Sequence, residues 1–491
     1  MVTIALMVAV VTIFQFVFCS LIYAVDYAPI VYYPVSLNNF VAVPEFADVT
    51  WSMKQPDYWI AKIVQPRALM FDDAQIQTLN AKLRADKDSY LADFEKYPAQ
   101  LGSAKVADLV KRMSIPSELK YVNGKRVSYD YYKALDYNRN LDAIANPVVV
   151  KYGFTVRQTD MRSLPTADRI YNNAVNDSLD RFQETRLDPV EPLLILHSSR
   201  DGKWLFVQSV CYAAWVNVND VAIVDSRSAW DNYRKSKFLS IKVPNFCMKN
   251  TQTNEVLVWE MGAKIPLASS ESRVQSLEFS DGNSGLRTNN SELTHSNSGL
   301  ITQDSELYIV QLPARDSIGK LIFQYVKLPK QTEGIREGFL PCSYQNIIYQ
   351  AFKMYGMKFG WGGLYDSVDC SSFAQNVYRS FGIYIPRNSG QQAKMPVTTK
   401  EFYGIGGQRY EELTEVSPGS ILYMPGHIMI YLGVDKNKNY IIHSFSSFGV
   451  LDKKRGIEEN PVYAVAVTSM SIYRMSGRTF QDAVNVGKTI Q

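Results

Sequence analysis

Histidine and cysteine, which carry much of enzyme chemistry, are both scarce in this chain. Among 491 residues there are four histidines and five cysteines. None of Cys19, Cys211, Cys247, Cys342 and Cys370 forms a CxxC pair or a close cluster with histidine. That excludes a zinc site built from such pairs and a dense disulfide framework, and no metal or cofactor is expected. An excess of charge of one sign is also missing. Lys and Arg number 52 against 48 Asp and Glu, a net charge of +4 with no basic stripe, so no nucleic-acid partner is expected. Disorder is excluded as well, since 46% hydrophobic and 20% charged residues are those of ordinary globular domains. A chain of this length divides into roughly three or four of them. Aromatics are plentiful: 31 Tyr and 23 Phe favour β-rich domains and surfaces that contact peptide or carbohydrate.

The apolar run Met1–Val25 stops at Asp26. It reads as a cleaved signal peptide or an uncleaved membrane anchor, and either would export the rest to the periplasm or cell envelope. The anchor would serve as a membrane tether. Phe18 before Cys19 argues against lipid attachment, and the lack of Lys or Arg near the start argues against cleavage.

Residues 45–146 read as a helical N-terminal domain. Asp72 and Asp73 can cap a helix carrying Ile76, Leu79, Leu83 and Leu91, and further helix is expected over Val106–Met113 and Tyr129–Ile144. From 147 to 228 the pattern changes to short strands, among them Leu193–Leu196 and Trp204–Val207, with turns such as Asp201-Gly202; a small antiparallel barrel closes them. A second β-rich stretch spans 237–329, with strands at Glu255–Trp259 and Leu307–Leu312 and a flexible Ser/Asn/Gly-rich loop from Ser269 to Gln303. Cys211 and Cys247 read as small buried hydrophobes within strands. Lys330–Gly334 reads as the linker into a final domain at 335–480. The fold class is therefore multidomain α+β.

The final domain contains Gly360-Trp361-Gly362-Gly363 and then Asp369-Cys370-Ser371-Ser372-Phe373. Phe373, Val377 and Phe381 recur at helical spacing and Gly382 is a stop, so Cys370 opens an amphipathic helix. Free N–H groups and the positive dipole end there would lower a thiol's pKa and could hold an oxyanion. A thiolate needs a base and an orienting group. His427 and His443 follow Cys370 in strand-like contexts, joined through a turn at Asp435–Asn439. Chance coincidence explains each residue singly but not the ordered set. His197 and His295 have no nucleophile near them and read as structural or exposed.

Residues 341–472 resemble the NlpC family of papain-like cell-wall cysteine peptidases. Six elements carry the match: Phe359–Gly363, Asp369-Cys370-Ser371, Ile385–Ser389, Ser417–Ser420, Gly426-His427-Ile428 and Ile442-His443-Ser444. The resemblance implies Cys370 as nucleophile, His427 as base and His443 as the third, polar member. The upstream chain resembles multidomain members with a helical clip and two bacterial SH3-like barrels, the clip opening at Pro56–Ile60 and the first barrel at Thr155–Thr166. Hydrolysis of the amide between γ-D-glutamate and a diamino acid, with meso-diaminopimelate the natural guess, is then implied, in peptidoglycan stem peptides during wall remodelling or recycling. Tyr212 stands where an aromatic of the first barrel helps select a free N-terminal L-alanine. Asp369 and Ser371 are implied substrate contacts, and Trp361 could wall the groove. Asn388 departs from the Asp that amine-reading relatives carry, and so supplies no charge. Ala214 and Met429 stand where Gly is common. A monomer is expected. The alternatives are an amidase or acyltransferase of the same superfold, or a non-catalytic wall-binding protein, whose signature would be a missing Cys or His.

Overall fold

A computed structural model describes residues 32–175, 179–251, 253–269, 306–452, 454 and 456–490. The apolar run 1–25 with Cys19, the 269–303 loop beyond its first residue, and His295 lie outside the described residues. Among the described residues, no helix is long and apolar enough to cross a membrane.

Local signals set the helices. Asp72 caps helix Asp73–Ala85 reciprocally with Gln75: each side chain accepts from the other's backbone N–H, at 2.8 and 2.9 Å. That helix ends at Ala85, so Leu91, expected on its apolar stripe, is buried from irregular chain beyond it. Helices Ser103–Lys111 and Tyr129–Asn138 follow. The second stops short of Ile144 because Asn140 turns left-handed, at φ 58°.

The apolar residues of 45–146 are shared among several clusters. Phe46, Trp59, Ile60, Phe71, Ile76, Leu83 and Leu91 join the apolar cluster of the final domain. Phe94, Val106 and Val110 join the β-rich middle, and Tyr132 and Leu135 pack on Leu164, Ile170 and Phe182. Strand Tyr32–Val35 adds to Asn245–Asn250. The N-terminal stretch is a strap laid across the other parts.

The middle of the chain is sheet-rich and SH3-like. Seven antiparallel strands run in the order Val221–Val224, Lys151–Thr155, Pro192–Ser198, Trp204–Gln208, Ala213–Asn217, Thr159–Arg162, Gln183–Leu187. Cys211 lies half-buried in the turn before Ala213 rather than within a strand, whereas Cys247 is buried in strand Asn245–Asn250. Strand Ile335–Glu337 pairs with Phe238–Ile241, so the second β-rich region continues past the expected linker at 330–334. Trp215, Trp230 and Trp259 stand in one apolar cluster shared by both regions.

The final domain is a six-stranded antiparallel sheet in the order Thr398–Glu401, Val486–Thr489, Ile421–Met424, His427–Asp435, Lys438–Asp452, Gly456–Ser469. Val486–Thr489 sits inside this sheet, so the domain runs beyond the expected end at 480. Lys436 and Asn437, at φ 45° and 58°, make the two-residue hairpin that sets the two candidate histidine strands side by side. Helix Cys370–Arg379 packs on both strands, burying Phe373 and Val377. Gly382 ends it at φ 75°, with Ile383 N–H returning to the Tyr378 carbonyl at 3.2 Å. A Cβ there would lie 2.6 Å from the Phe339 ring.

Candidate active site

Asp369 is the N-cap of helix Cys370–Arg379. Its carboxylate accepts from the Ser371 and Ser372 amides at 3.1 and 2.9 Å, and its carbonyl accepts from Phe373 N–H. Of the first four amides of the helix, only that of Cys370 carries no hydrogen bond to the described residues. Sequence reasoning allows several free N–H groups here, and the structure leaves one.

Arg387, which sequence reasoning missed, fixes this cap. It reaches Asp369 with two nitrogens at 3.1 and 2.6 Å, Ser371 Oγ at 2.9 Å and Thr185 Oγ1 of the first sheet at 2.6 Å. Gly362 N–H adds a 3.1 Å bond to Asp369. Asp369 and Ser371 are thus buried with their side chains already engaged. Burial opposes ionisation of Asp369, yet the Arg387 guanidinium holds its carboxyl below the usual range. The visible signal was Pro386-Arg387 in the matched motif, but its partner could not be read off one sequence.

His427 and His443 meet. His427 Nε2 lies 2.8 Å from His443 Nδ1, and His443 Nε2 lies 3.1 Å from Thr468 Oγ1, a second residue that sequence reasoning missed. His443 and Thr468 are fully buried. The His443 ring stacks on Phe445 with centroids 3.9 Å apart and planes 6° apart, and Phe480 presents its edge to both imidazoles at 5.7 and 6.0 Å. Met429 is buried in an apolar cluster with Leu422 and Phe480.

The electrostatics differ from those of a bare helix N-terminus. Burial, with Asp369 next to it, pushes the Cys370 thiol up to about 12, while the Ile428 and Ser371 amides and Arg387 pull the other way. Burial, then Arg474, lowers His427 to about 3, and burial, then His427, holds His443 well below 6.5. The resting pair is neutral thiol and neutral imidazole. A neutral His427 with its Nδ1 open must donate from Nε2 to His443 Nδ1. His443 then carries its proton on Nε2 and donates it to Thr468.

The first sheet meets the final domain through Trp361 and Asn388. Tyr212 donates its hydroxyl to Glu184, a half-buried carboxylate that sequence reasoning did not single out. Burial raises Glu184, against the Tyr212 hydrogen bond and the Arg387 charge. Asn388 is exposed, caps the short helix Ser389–Gln392 and also reaches Tyr212. Trp361 donates Nε1 to the Gln183 carbonyl at 3.2 Å, one residue from Glu184. Ala214 is fully buried. His197 is structural, set 3.2 and 3.0 Å from the Arg139 and Asn140 carbonyls.

Comparisons with known proteins bear on the family of two segments and on the fold. Residues 356–463 match the NlpC/P60 family and residues 172–217 match the SH3 domain of SH3b1 type. A solved NlpC/P60 endopeptidase from Photobacterium damselae subsp. piscicida is 16% identical, with a TM-score of 0.66 over 93% of this chain and 99% of its own. An NlpC/P60 family protein from Bacillus cereus ATCC 10987 is 14% identical, with a TM-score of 0.42 over 69% of this chain and 99% of its own. No curated protein matches in sequence. The chain carries, behind an SH3b-type domain, a C-terminal domain of the NlpC/P60 family, whose members are generally cysteine peptidases and include cell-wall peptidases.

Proposed function

We propose that the chain is an exported cysteine endopeptidase that hydrolyses the γ-D-glutamyl–diamino acid amide of peptidoglycan stem peptides. In this reading the N-terminal strap is a clip and the β-rich middle is two SH3-like barrels. The observation that carries it is the paired histidines on the two strands against which the Cys370 helix packs. Cys370 opens the helix with its amide free, and the 2.8 Å His427–His443 contact orients the base.

The chemistry follows from these groups. His427 takes the Cys370 proton as sulfur attacks the amide carbonyl. The tetrahedral oxyanion falls to the free Cys370 N–H at the positive helix end. The imidazolium returns the proton to the departing amine, leaving a thioester. Water, deprotonated by His427, then cleaves it and regenerates the thiol. Burial disfavours separate charges, so the thiolate and imidazolium form together as substrate arrives and shields them.

Selection of a free N-terminal L-alanine is supported by Glu184 more than by Asn388. Glu184 supplies beside Tyr212 the carboxylate that Asn388 lacks, and an ammonium group there would hold it ionised. Asp369 and Ser371 contribute through the backbone they shape, since Arg387 occupies their side chains.

The test is cleavage of L-Ala-γ-D-Glu-diaminopimelate by the purified chain and by Cys370→Ala. The expected result is release of diaminopimelate by the first alone, with the N-acylated peptide resistant. Release by both proteins, or by neither, overturns the activity. Equal cleavage of the acylated peptide overturns the role given to Tyr212 and Glu184.

A further inference from the structure

Beside the candidate groove lies a set of cations that form no ion pair among the described residues. Trp361 and Tyr365, in the turn segment Trp361–Asp366, are 37% and 36% exposed. The Arg181 guanidinium stands 5.5 Å from the Trp361 ring, while Arg169 and Lys358 stand 5.9 and 4.8 Å from that of Tyr365. Among the described residues none of the three forms an ion pair, and Arg181 Nε is buried without a hydrogen-bond partner. Four described carboxylates nearby have other partners: Asp366 and Asp160 pair with Arg186 at 2.7 and 2.9 Å, Asp180 with Arg162 at 2.5 Å, and Asp168 accepts from the Tyr131 hydroxyl at 2.8 Å. Aromatic faces hold cations in place without cancelling their charge.

We propose that Arg169, Arg181 and Lys358 form a carboxylate-reading rim for the stem peptide, an assignment that rests on the endopeptidase reading above. Position supports it. Trp361 is tied to Gln183 beside Glu184, and Gly362 is tied to Asp369 beside Cys370, so the rim adjoins the groove at two points. Tyr365 and Asp366 are left-handed at φ 64° and 53°, and the Asp366 carbonyl is clamped by the side-chain amides of Asn39 and Asn245. The platform is therefore built before ligand arrives. A γ-linked stem peptide offers two carboxylates off its main chain. One is the α-carboxylate of D-glutamate, and the other is the side-chain carboxylate of an acidic diamino acid. A planar guanidinium over an aromatic face suits either, and lysine in place of an acidic diamino acid would forfeit the second.

Three peptides separate these sources: L-Ala-γ-D-Glu-diaminopimelate, the same peptide with its glutamate α-carboxylate amidated, and the lysine counterpart. Wild-type protein should favour the first over at least one of the others by about tenfold in kcat/KM, given the strength of charge-assisted bonds. In Arg181→Gln and in Arg169→Gln/Lys358→Gln that ratio should collapse toward unity. A ratio that falls against the amidated peptide assigns the rim to glutamate, and one that falls against the lysine peptide assigns it to the diamino acid. Unchanged ratios in both variants overturn the rim. Calorimetric titration of the same peptides into Cys370→Ala, with and without Arg181→Gln, gives a reading independent of turnover. Equal affinities for the acidic peptide would overturn the rim even if the activity stands, and a loss confined to the acidic peptide would support it even if the activity fails. Circular dichroism and Tm verify that each variant is folded.

Discussion

The residue that most changes the picture of the site is Thr468. Its hydroxyl fixes which nitrogen of His443 is protonated, and that decides whether His443 can accept from His427. Thr468→Val removes the acceptor while keeping the shape, so on the proposed reading kcat/KM should fall by about tenfold, the scale on which loss of a histidine's orienting partner is felt. Thr468→Ser should restore most of it. A fall of equal size in both variants would mean that packing, not the hydroxyl, matters. Burial of His443 has its own signature in stability. Its folded pKa lies well below the unfolded 6.5, so the unfolded chain binds the extra proton. The stability it contributes is full above that value and declines as the pH falls below it, by up to about 1.4 kcal/mol per pH unit. Urea midpoints at pH 7 and pH 5 should therefore differ less in His443→Gln than in the parent chain.

At the scale of the element, the helix that Cys370 opens is capped by a buried ion pair. Asp369 and Arg387 are 8% and 3% exposed. Arg387→Met would strand a buried carboxylate at the N-cap, and breaking such a pair costs about 3–5 kcal/mol. The expected outcome is a lower Tm together with loss of cleavage. A Tm within a degree of the parent would show the cap to be self-sufficient. Much of this element was legible beforehand: the Phe373, Val377 and Phe381 stripe, the Gly382 stop and the Asp435–Asn439 turn all follow from local periodicity and turn chemistry. What was not legible arises from contacts distant in sequence. Nothing local marks Thr185 as the partner of Arg387, Glu184 as that of Tyr212, or Thr468 as the end of the relay. For the same reason the dipole argument alone gave Cys370 a lowered pKa, where desolvation and Asp369 raise it.

On the scale of the whole molecule, the strap makes the final domain depend on residues more than 250 positions upstream. Trp59 is fully buried within the cluster that also holds Phe373, Val377 and Ile430 behind the candidate catalytic strands, and its ring lies 5.2 Å from that of Tyr440. Trp230 is equally buried but belongs to the cluster of the β-rich middle. Truncating either to alanine opens a large cavity and should cost about 3–5 kcal/mol. The two losses should differ in kind. If the clusters respond separately, Trp59→Ala lowers the urea concentration at which stem-peptide cleavage disappears, while Trp230→Ala first disturbs the sheets and moves that concentration less. A junction opposes such independence. Arg379, on the helix that Cys370 opens, binds Asp188, just past strand Gln183–Leu187, at 2.7 Å and the Met261 carbonyl of the second region at 2.9 and 3.1 Å, and Asn376 binds Glu260 at 2.8 Å. Equal shifts in the two variants would show that this junction makes the chain unfold as one unit. Unequal shifts would show that the strap, more than the junction, holds the candidate site in shape.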